Sequence, residues 1–410
     1  MNEVILWDNT FKFKTNRFEP RFIFKNDQSC PSDEVRMQRS ICFVGMDNYP
    51  VLNPEFGQRY FGGESVQQTL LAYAFRDLGL DVSMVVLDYG QPDGEVIDGI
   101  RVWKSYREHS GIPIIRFLHP KATSIIAALR KAKSDIYYQS CSGALTGLVS
   151  WYCRRNDRSF IYRVASDADC IPELPLIHYG RDRALYRYGL KGADFVAAQS
   201  HHQASLLMDS FNRSSGLVNM AVEIPHFSDD RQIDIDVLWV NNFRPLKRPQ
   251  QVLQLAKRLT QHRFVMVGGP VPGNEDFYRE IATQAREIPN LEMVGAVPYK
   301  SVTEYFLRSR ILINTSEIEG FPNSILQAWA SRLPVISYFD PDGLNQRLDL
   351  GSCPKNFEEM VLAIEKYLED TALHHETGTR ARHFVTENYS PEAVARCYLD
   401  QIRVTGSCPS

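Results

Sequence analysis

The sequence predicts an α/β protein built from two doubly wound halves. Three observations carry that reading. Short apolar runs of strand type alternate with amphipathic helical stretches along most of the 410 residues. A Gly62-Gly63 loop follows the first strong strand and opens a helix. The alternation breaks at a polar stretch, residues 225–236 (PHFSDDRQIDID), and then starts again. Alternating β and α elements argue for parallel sheets covered on both faces.

Composition narrows the class. Hydrophobic residues make up 44% and charged residues 23% of the chain, which excludes a disordered, collagen-like or coiled-coil protein. Lys+Arg is 46 against Asp+Glu 49, a net charge of -3, so the large basic excess of a non-specific nucleic-acid binder is missing. No apolar run is long enough to span a membrane, and the start, MNEVILWDNTFKFK, does not read as a secretory signal. The eight cysteines form no CxxC pair and read as free thiols of a cytoplasmic protein.

In the first half, residues 1–39 read as an extension with little periodicity. Residues 41–46 (ICFVGM) read as the first strand. Val66, Leu70, Leu71, Ala74 and Leu78 recur at helical spacing, and Gly79 is placed to stop that helix. Residues 82–87 are the next strand. Then come a helix over 121–133, a strand over 135–140, a helix over 143–155, strands over 160–165 and 194–200, a helix over 201–211 and a short strand over 216–220.

In the second half, strands are expected at 237–242, 263–269, 291–297, 311–316 and 334–338. The helices between them are 250–260, 274–287, 301–310 and 323–332. One or two helices fill 356–386, and 391–405 closes the chain. The expected domains are 1–230, 231–388 and a final helix, 389–410, that crosses back to the first domain. In open α/β sheets ligands sit at the carboxyl ends of strands, so the cleft between two such domains is the expected site.

The densest signal is 314–338, NTSEIEGFPNSILQAWASRLPVISY. A strand ends near Ser316, a turn carries Glu317, Glu319 and Gly320, and a helix opens near Asn323. A helix N-terminus at a strand's end is an anion site, while the Glu319 carboxylate suits a partner rich in hydroxyl donors, such as a sugar. The bland alternative is that Glu319 and Asn323 only cap the helix. A second signal is VLWVNNFRPLKRPQQ, which sets Arg244, Lys247 and Arg248 between a strand and a helix. A leaving diphosphate needs fixed positive charge of this kind, while Arg248 reads as a solvated surface charge.

With Gly62-Gly63, VMVGG at 265–269 and VGAVP at 294–298, these motifs resemble the family-4 retaining glycosyltransferases of the GT-B fold, over most of 41–405. The resemblance implies two Rossmann-like domains facing a cleft and a donor that is a UDP-, GDP- or ADP-type sugar. It also implies a glycan or lipid-linked acceptor in surface polysaccharide synthesis, with no metal and no other cofactor. Glu319 would bond a donor-sugar hydroxyl. Backbone N–H groups around Gly320, Phe321, Asn323, Ser324 and Ile325 would hold the sugar and diphosphate, and Val297 would border the base. Gly62, Gly63, Gly268 and Gly269 would let the donor approach the backbone.

The chain departs from the family pattern in three places. Gln327 stands where the second Glu of the Glu-x7-Glu signature contacts the ribose. Asn242 stands at the Arg position of the clamp, so Lys247 and Arg244 are expected to supply the cations. Ser166 and Asp167 stand where the family often has a His, and Asp167 is expected to orient the acceptor hydroxyl. Two other readings stay open: a nucleotide-sugar 2-epimerase on the same fold, and a non-catalytic glycan- or nucleotide-binding protein.

The Asp-x-Asp triplets at 167–169, 234–236 and 340–342 are not expected to hold metal, and His201-His202 reads as surface or capping. Residues 101–133 hold eight Lys and Arg against one Glu, a net charge of +7. They read as a basic face able to meet an anionic membrane surface.

Overall fold

Four consecutive residues of the first strand, Ile41 to Val44, are fully buried. Ile41 and Phe43 enter one core and Cys42 and Val44 another. Only a strand covered on both faces alternates in this way. The computed structural model describes residues 39–56, 63–112, 116–271, 273–316 and 321–406, all within one unit, Gln38–Ser410. Glu317, Glu319, Gly320, Gly62 and nearly all of the expected extension 1–39 lie outside the described residues.

The first lobe runs β1 (Ser40–Val44), α1 (Tyr49–Leu52), α2 (Gly63–Asp77), β2 (Asp81–Val86), β3 (Val96–Ile97), β4 (Ile100–Lys104), α3 (Thr123–Ala132), β5 (Ile136–Ser140), α4 (Ala144–Arg155), β6 (Ser159–Arg163), α5 (Gly180–Gly192), β7 (Phe195–Ala198), α6 (His201–Phe211) and β8 (Gly216–Leu217). Its eight strands lie in the order β3-β4-β2-β1-β5-β6-β7-β8, parallel except for the β3–β4 hairpin. Gly79, at φ 86°, ends α2 in the left-handed turn that helix termini favour. Ser200 caps α6 by accepting the Gln203 N–H at 3.2 Å.

The second lobe runs β9 (Ile235–Val240), α7 (Pro249–Arg258), β10 (Phe264–Val267), α8 (Glu275–Ala285), β11 (Leu291–Gly295), α9 (Tyr299–Leu307), β12 (Ser309–Asn314), α10 (Asn323–Ala330), β13 (Val335–Ser337), α11 (Leu344–Arg347), β14 (Gly351–Ser352), α12 (Phe357–Glu369), α13 (Thr371–Tyr389) and α14 (Pro391–Gly406). Its six-stranded sheet has the order β11-β10-β9-β12-β13-β14 and is parallel throughout. Asn356 and Asp370 cap α12 and α13 by accepting N–H groups at 3.0 and 2.9 Å. The last helix leaves this lobe: Val394, Ala395 and Tyr398 of α14 complete the core around Ile41 and Phe43.

Several features depart from the expected elements, among them the short helices α1 and α11 and the strand β14, where no element was expected. Helix α5 was not expected, and neither was the β3–β4 hairpin, which turns on Asp98 and Gly99, both at positive φ. The helix expected over 121–133 starts at Thr123, after an irregular turn at Phe117–Ala122. The lobes are joined by two adjacent crossings. Gln67 of α2 binds Ala221 through both amide atoms, each at 2.7 Å. Val222 N–H donates to the Tyr389 carbonyl at 2.8 Å.

Candidate active site

The carboxyl end of β9 carries the cationic loop. Arg244 is exposed and leads a tight turn, Pro245–Lys247, in which Lys247 is half-buried. Arg248 follows in the left-handed region at φ 48°, and Pro249 opens α7, the position where a missing N–H costs nothing. Arg248 is half-buried rather than fully solvated. It lines a cavity of about 480 Å³ with Tyr338 and Asp340.

The end of β12 is tied to this loop. Thr315 donates to the Lys247 carbonyl at 2.7 Å and accepts from the Trp239 indole at 3.1 Å. Ser316 N–H donates to Asn314 Oδ1 at 2.8 Å, and Asn241 Nδ2 to Ser316 Oγ at 3.4 Å. These bonds hold the Lys247 turn beside the segment that runs into residues 317–320. Asn242 is exposed, and its N–H donates to the Asn241 side chain at 3.1 Å.

Helix α10 opens next. Pro322 is its N-cap, with no side-chain cap and no acidic residue in the first turn. Asn323 therefore does not cap the helix. That helix end keeps the partial positive charge of uncapped N–H groups. Asn323 is exposed, and Ser324 and Gln327 are half-buried. Asn323 and Gln327 stand one turn apart on a shared face. Phe321 packs near Tyr389, with ring centroids 5.5 Å apart. Ile325 departs from its expected role: its side chain is fully buried and its N–H already donates to the Pro322 carbonyl at 3.1 Å.

Gly268 and Gly269 follow β10. Gly268 has φ 151°, and a Cβ there would collide with the Asn241 carbonyl oxygen. A Cβ on Gly269 would lie 2.8 Å from that of Ala296. Close packing of the loops after β9, β10 and β11 is therefore enough to require glycine at Gly268. Val297, after β11, is half-buried against the second lobe's core.

Across the cleft, Gly63 opens α2, and a Cβ built on it would lie 3.6 Å from Asn323 Nδ2. Gly63 of the first lobe thus faces the uncapped end of α10 in the second.

Asp167 begins a tight turn after β6. It is exposed, accepts from Gln203 Nε2 at 3.0 Å and stands 3.8 Å from His202. The strand-end carboxylate that binds backbone N–H groups is Asp169. It is buried and accepts from Ala165 and Ser166 N–H at 2.9 and 3.2 Å and from Ser142 Oγ at 2.6 Å.

Beneath these groups lies a polar cluster that the sequence reading missed. Arg163, the last residue of β6, is fully buried among Glu64, Tyr138 and Tyr398. None of its guanidinium nitrogens has a hydrogen-bond partner among the described residues. Glu64, in the first turn of α2, is pushed above the usual carboxyl range by burial, against the pull of the Arg163 charge and the Ser140 hydroxyl. The available signal was an arginine ending an otherwise apolar strand, SFIYR.

The other Asp-x-Asp triplets are occupied by protein groups. Asp234 accepts from Arg308 Nε and Arg263 Nη1 at 2.8 and 2.7 Å. Asp340 accepts the Asn345 and Gln346 N–H groups. Within 101–133, Lys104 and Arg107 pair with Asp88 and Lys131 with Asp93. Among the described residues no helix is long and apolar enough to cross a membrane.

Residues 225–384 match the family described as Glycosyl transferases group 1. That stretch is a group 1 glycosyltransferase domain. The match covers the Lys247 turn and α10, the described second-lobe groups of the candidate site. N-acetyl-alpha-D-glucosaminyl L-malate synthase of Bacillus anthracis is 25% identical over 52% of this chain, and the match spans 60% of that relative's length. Among solved structures, sucrose-phosphate synthase from Thermosynechococcus elongatus is similar with a TM-score of 0.65 and 18% identity, over 90% of this chain and 99% of that one. Anabaena HepE, in complex with UDP and glucose, is similar with a TM-score of 0.63 and 13% identity, over 89% of this chain and 100% of that one. The fold is GT-B, with the group 1 domain as its second lobe.

Proposed function

We propose that the chain transfers a glycosyl group from a nucleoside-diphosphate sugar to a glycan or lipid-linked acceptor, with retention at the anomeric carbon and without a metal. The observation that carries this reading is the meeting of Gly63 with Asn323 at the uncapped start of α10, beside the Lys247 turn. The helix N-terminus and the Lys247 and Arg244 charges would meet the diphosphate as negative charge grows on it. The glycine backbone would let the donor lie close to the first lobe. HepE is named in complex with UDP and glucose, which makes UDP the first nucleotide to test.

The bond from the anomeric carbon to the diphosphate oxygen breaks as the acceptor oxygen bonds on the same face, and the acceptor proton passes to the departing diphosphate. No protein nucleophile is needed. Asp167 would orient the acceptor, and Glu319 would hold a hydroxyl of the donor sugar. Domains 1–230 and 231–388 would supply acceptor and donor sides, with 389–410 returning to the first. A role in surface polysaccharide synthesis, with 101–133 resting on the inner membrane face, fits the acceptor class.

The test is a thermal-shift screen with UDP, GDP, ADP and their sugars, with and without EDTA. A selective, EDTA-insensitive rise in Tm supports the reading by mass action, and no rise with any nucleotide refutes it. A charge-assisted hydrogen bond contributes about 1.5–3 kcal/mol, so Glu319→Ala is expected to lower kcat/KM roughly 10- to 150-fold. Gln327 and Asn242 favour one second reading, a nucleotide-binding protein without turnover. Binding with no product from any sugar donor would select it.

A further inference from the structure

A cavity of about 550 Å³ opens in the first lobe, away from the group 1 domain. Its walls place it at the working edge of the sheet. Met46 follows β1, Tyr106 follows β4, Ala144 opens α4 after β5, and Gly180 opens α5 after β6. These are carboxyl ends of parallel strands, where α/β sheets bind ligands.

The lining is electrically one-sided. Arg116, Lys121 and Arg181 line it against the single carboxylate of Asp182, and that carboxylate is held by Arg181 Nε at 2.7 Å. Arg116 and Lys121 have no carboxylate partner among the described residues, whereas Lys104, Arg107 and Lys131 on the same segment do. Aromatic rings hold the cations in place. Lys121 Nζ stands 5.1 Å above the Tyr106 ring and the Arg181 guanidinium 3.6 Å above Phe117. Helices α4 and α5 both begin in the wall without a side-chain cap, adding N–H groups of the same sign. The rim is apolar: Tyr179, in the wall, and Leu118, on the lining turn, are each 66% exposed.

We infer that this cavity is an anion site for the acceptor, and that the acceptor carries a phosphate or carboxylate. The inference rests on the glycosyl-transfer reading above and names the substrate class of its acceptor side. The anionic group sits among Arg116, Lys121 and Arg181, and the apolar rim takes whatever adjoins it. A soluble phosphorylated sugar and a lipid-borne phosphate share this chemistry.

Calorimetry on the full chain tests it with two matched pairs: glucose against glucose 6-phosphate, and farnesol against farnesyl phosphate. At least one phosphorylated member is expected to bind tenfold or more tightly than its neutral partner. The pair that responds tells a soluble source from a lipid-borne one. Arg116→Ala with Lys121→Ala is expected to weaken that binding tenfold or more, while Arg116→Lys with Lys121→Arg retains it. Nucleotide affinity is expected to stay within twofold in both variants. The inference is overturned if neither phosphorylated compound binds, if charged and neutral members bind alike, or if the alanine variant binds as the wild type does. Failure of the wild type to bind any nucleotide defeats the transferase reading separately, because the anion pairs report on the cavity alone.

Discussion

Gly63 and Asn323, on opposite lobes, approach so closely that a methyl group on Gly63 would touch the Asn323 amide, at 3.6 Å from Nδ2. That distance is ordinary van der Waals contact. An alanine fits, but a branched side chain has to occupy the space between the lobes. Gly63→Val is expected to keep the wild-type Tm to within a few degrees and to lower kcat/KM for the sugar donor at least tenfold, with Gly63→Ala much milder. Equal loss in both variants, or none in either, would remove the loop from the donor side.

The Lys247 turn gives a second expectation. On the proposed reading Lys247 meets the leaving diphosphate; a charge-assisted bond of that kind contributes about 1.5–3 kcal/mol, so Lys247→Ala is expected to lower kcat/KM roughly 10- to 150-fold. Thr315→Val acts one step back, because it deletes the hydroxyl that joins the Lys247 carbonyl to Trp239. It leaves the buried indole N–H unpaired, at about 1–3 kcal/mol of stability. Denaturant titration reads that loss, and Lys247→Arg is expected to recover part of the activity.

Gln327→Glu restores a carboxylate able to accept two ribose hydroxyls. The donor KM is expected to fall several-fold with kcat little changed. An unchanged or raised KM would mean that residue 327 does not face the nucleotide.

Glycine is needed at some loop positions and not at others. Gly268→Ala adds a Cβ that collides with the Asn241 carbonyl at φ 151°. It is expected to destabilise by roughly 2–4 kcal/mol, combining backbone strain and overpacking. Gly143, with extended backbone and nothing within 4 Å of a built Cβ, is the control, and Gly143→Ala is expected to unfold within about 0.5 kcal/mol of wild type.

Acid stability should respond to Asp234. Its hydrogen bond from Arg308, with the further Arg308 and Arg263 contacts, holds its carboxyl below the usual carboxylate range. The folded value therefore lies under the unfolded one of about 3.9. The contribution is complete above that pH and is lost as pH falls through the folded value. The Tm gap between wild type and Asp234→Asn is expected to be widest near pH 6 to 7 and to shrink below about pH 4. A gap independent of pH would assign Asp234 no ionic role.

What the sequence revealed, and what it hid, follows from how each element is held. Elements with an apolar stripe, such as β1, β9 and α10, announce themselves by periodicity. Helix α5, GRDRALYRYGLKG, carries three glycines and five charged residues and shows no such stripe. It is held by small residues instead. A Cβ on Gly147 of α4 would lie 2.5 Å from the Leu185 carbonyl, and one on Gly189 of α5 would lie 2.5 Å from that of Thr146. Two backbones in close approach leave almost no hydrophobic signature. The β3–β4 hairpin did carry a signal, the Asp98-Gly99 pair between apolar residues. At the candidate site, the turn at Lys247 and the start of α10 were legible because each is local in sequence. The meeting of Glu64, Arg163 and Tyr398 was not, since it joins two helices and a strand from distant parts of the chain.

Tyr398 sits in the first lobe's core beside Phe75, Tyr138 and Phe195, yet in the sequence it follows the whole of the second lobe's sheet. During translation the opening sheet emerges long before the helix that finishes it. Chains grow at about 5–20 residues per second, so the wait from the end of β8 to Tyr398 lasts on the order of ten seconds or more. For that interval Ile41 and Phe43 lack their final cover on the ribosome. The lobe that emerges first is therefore the last to be sealed.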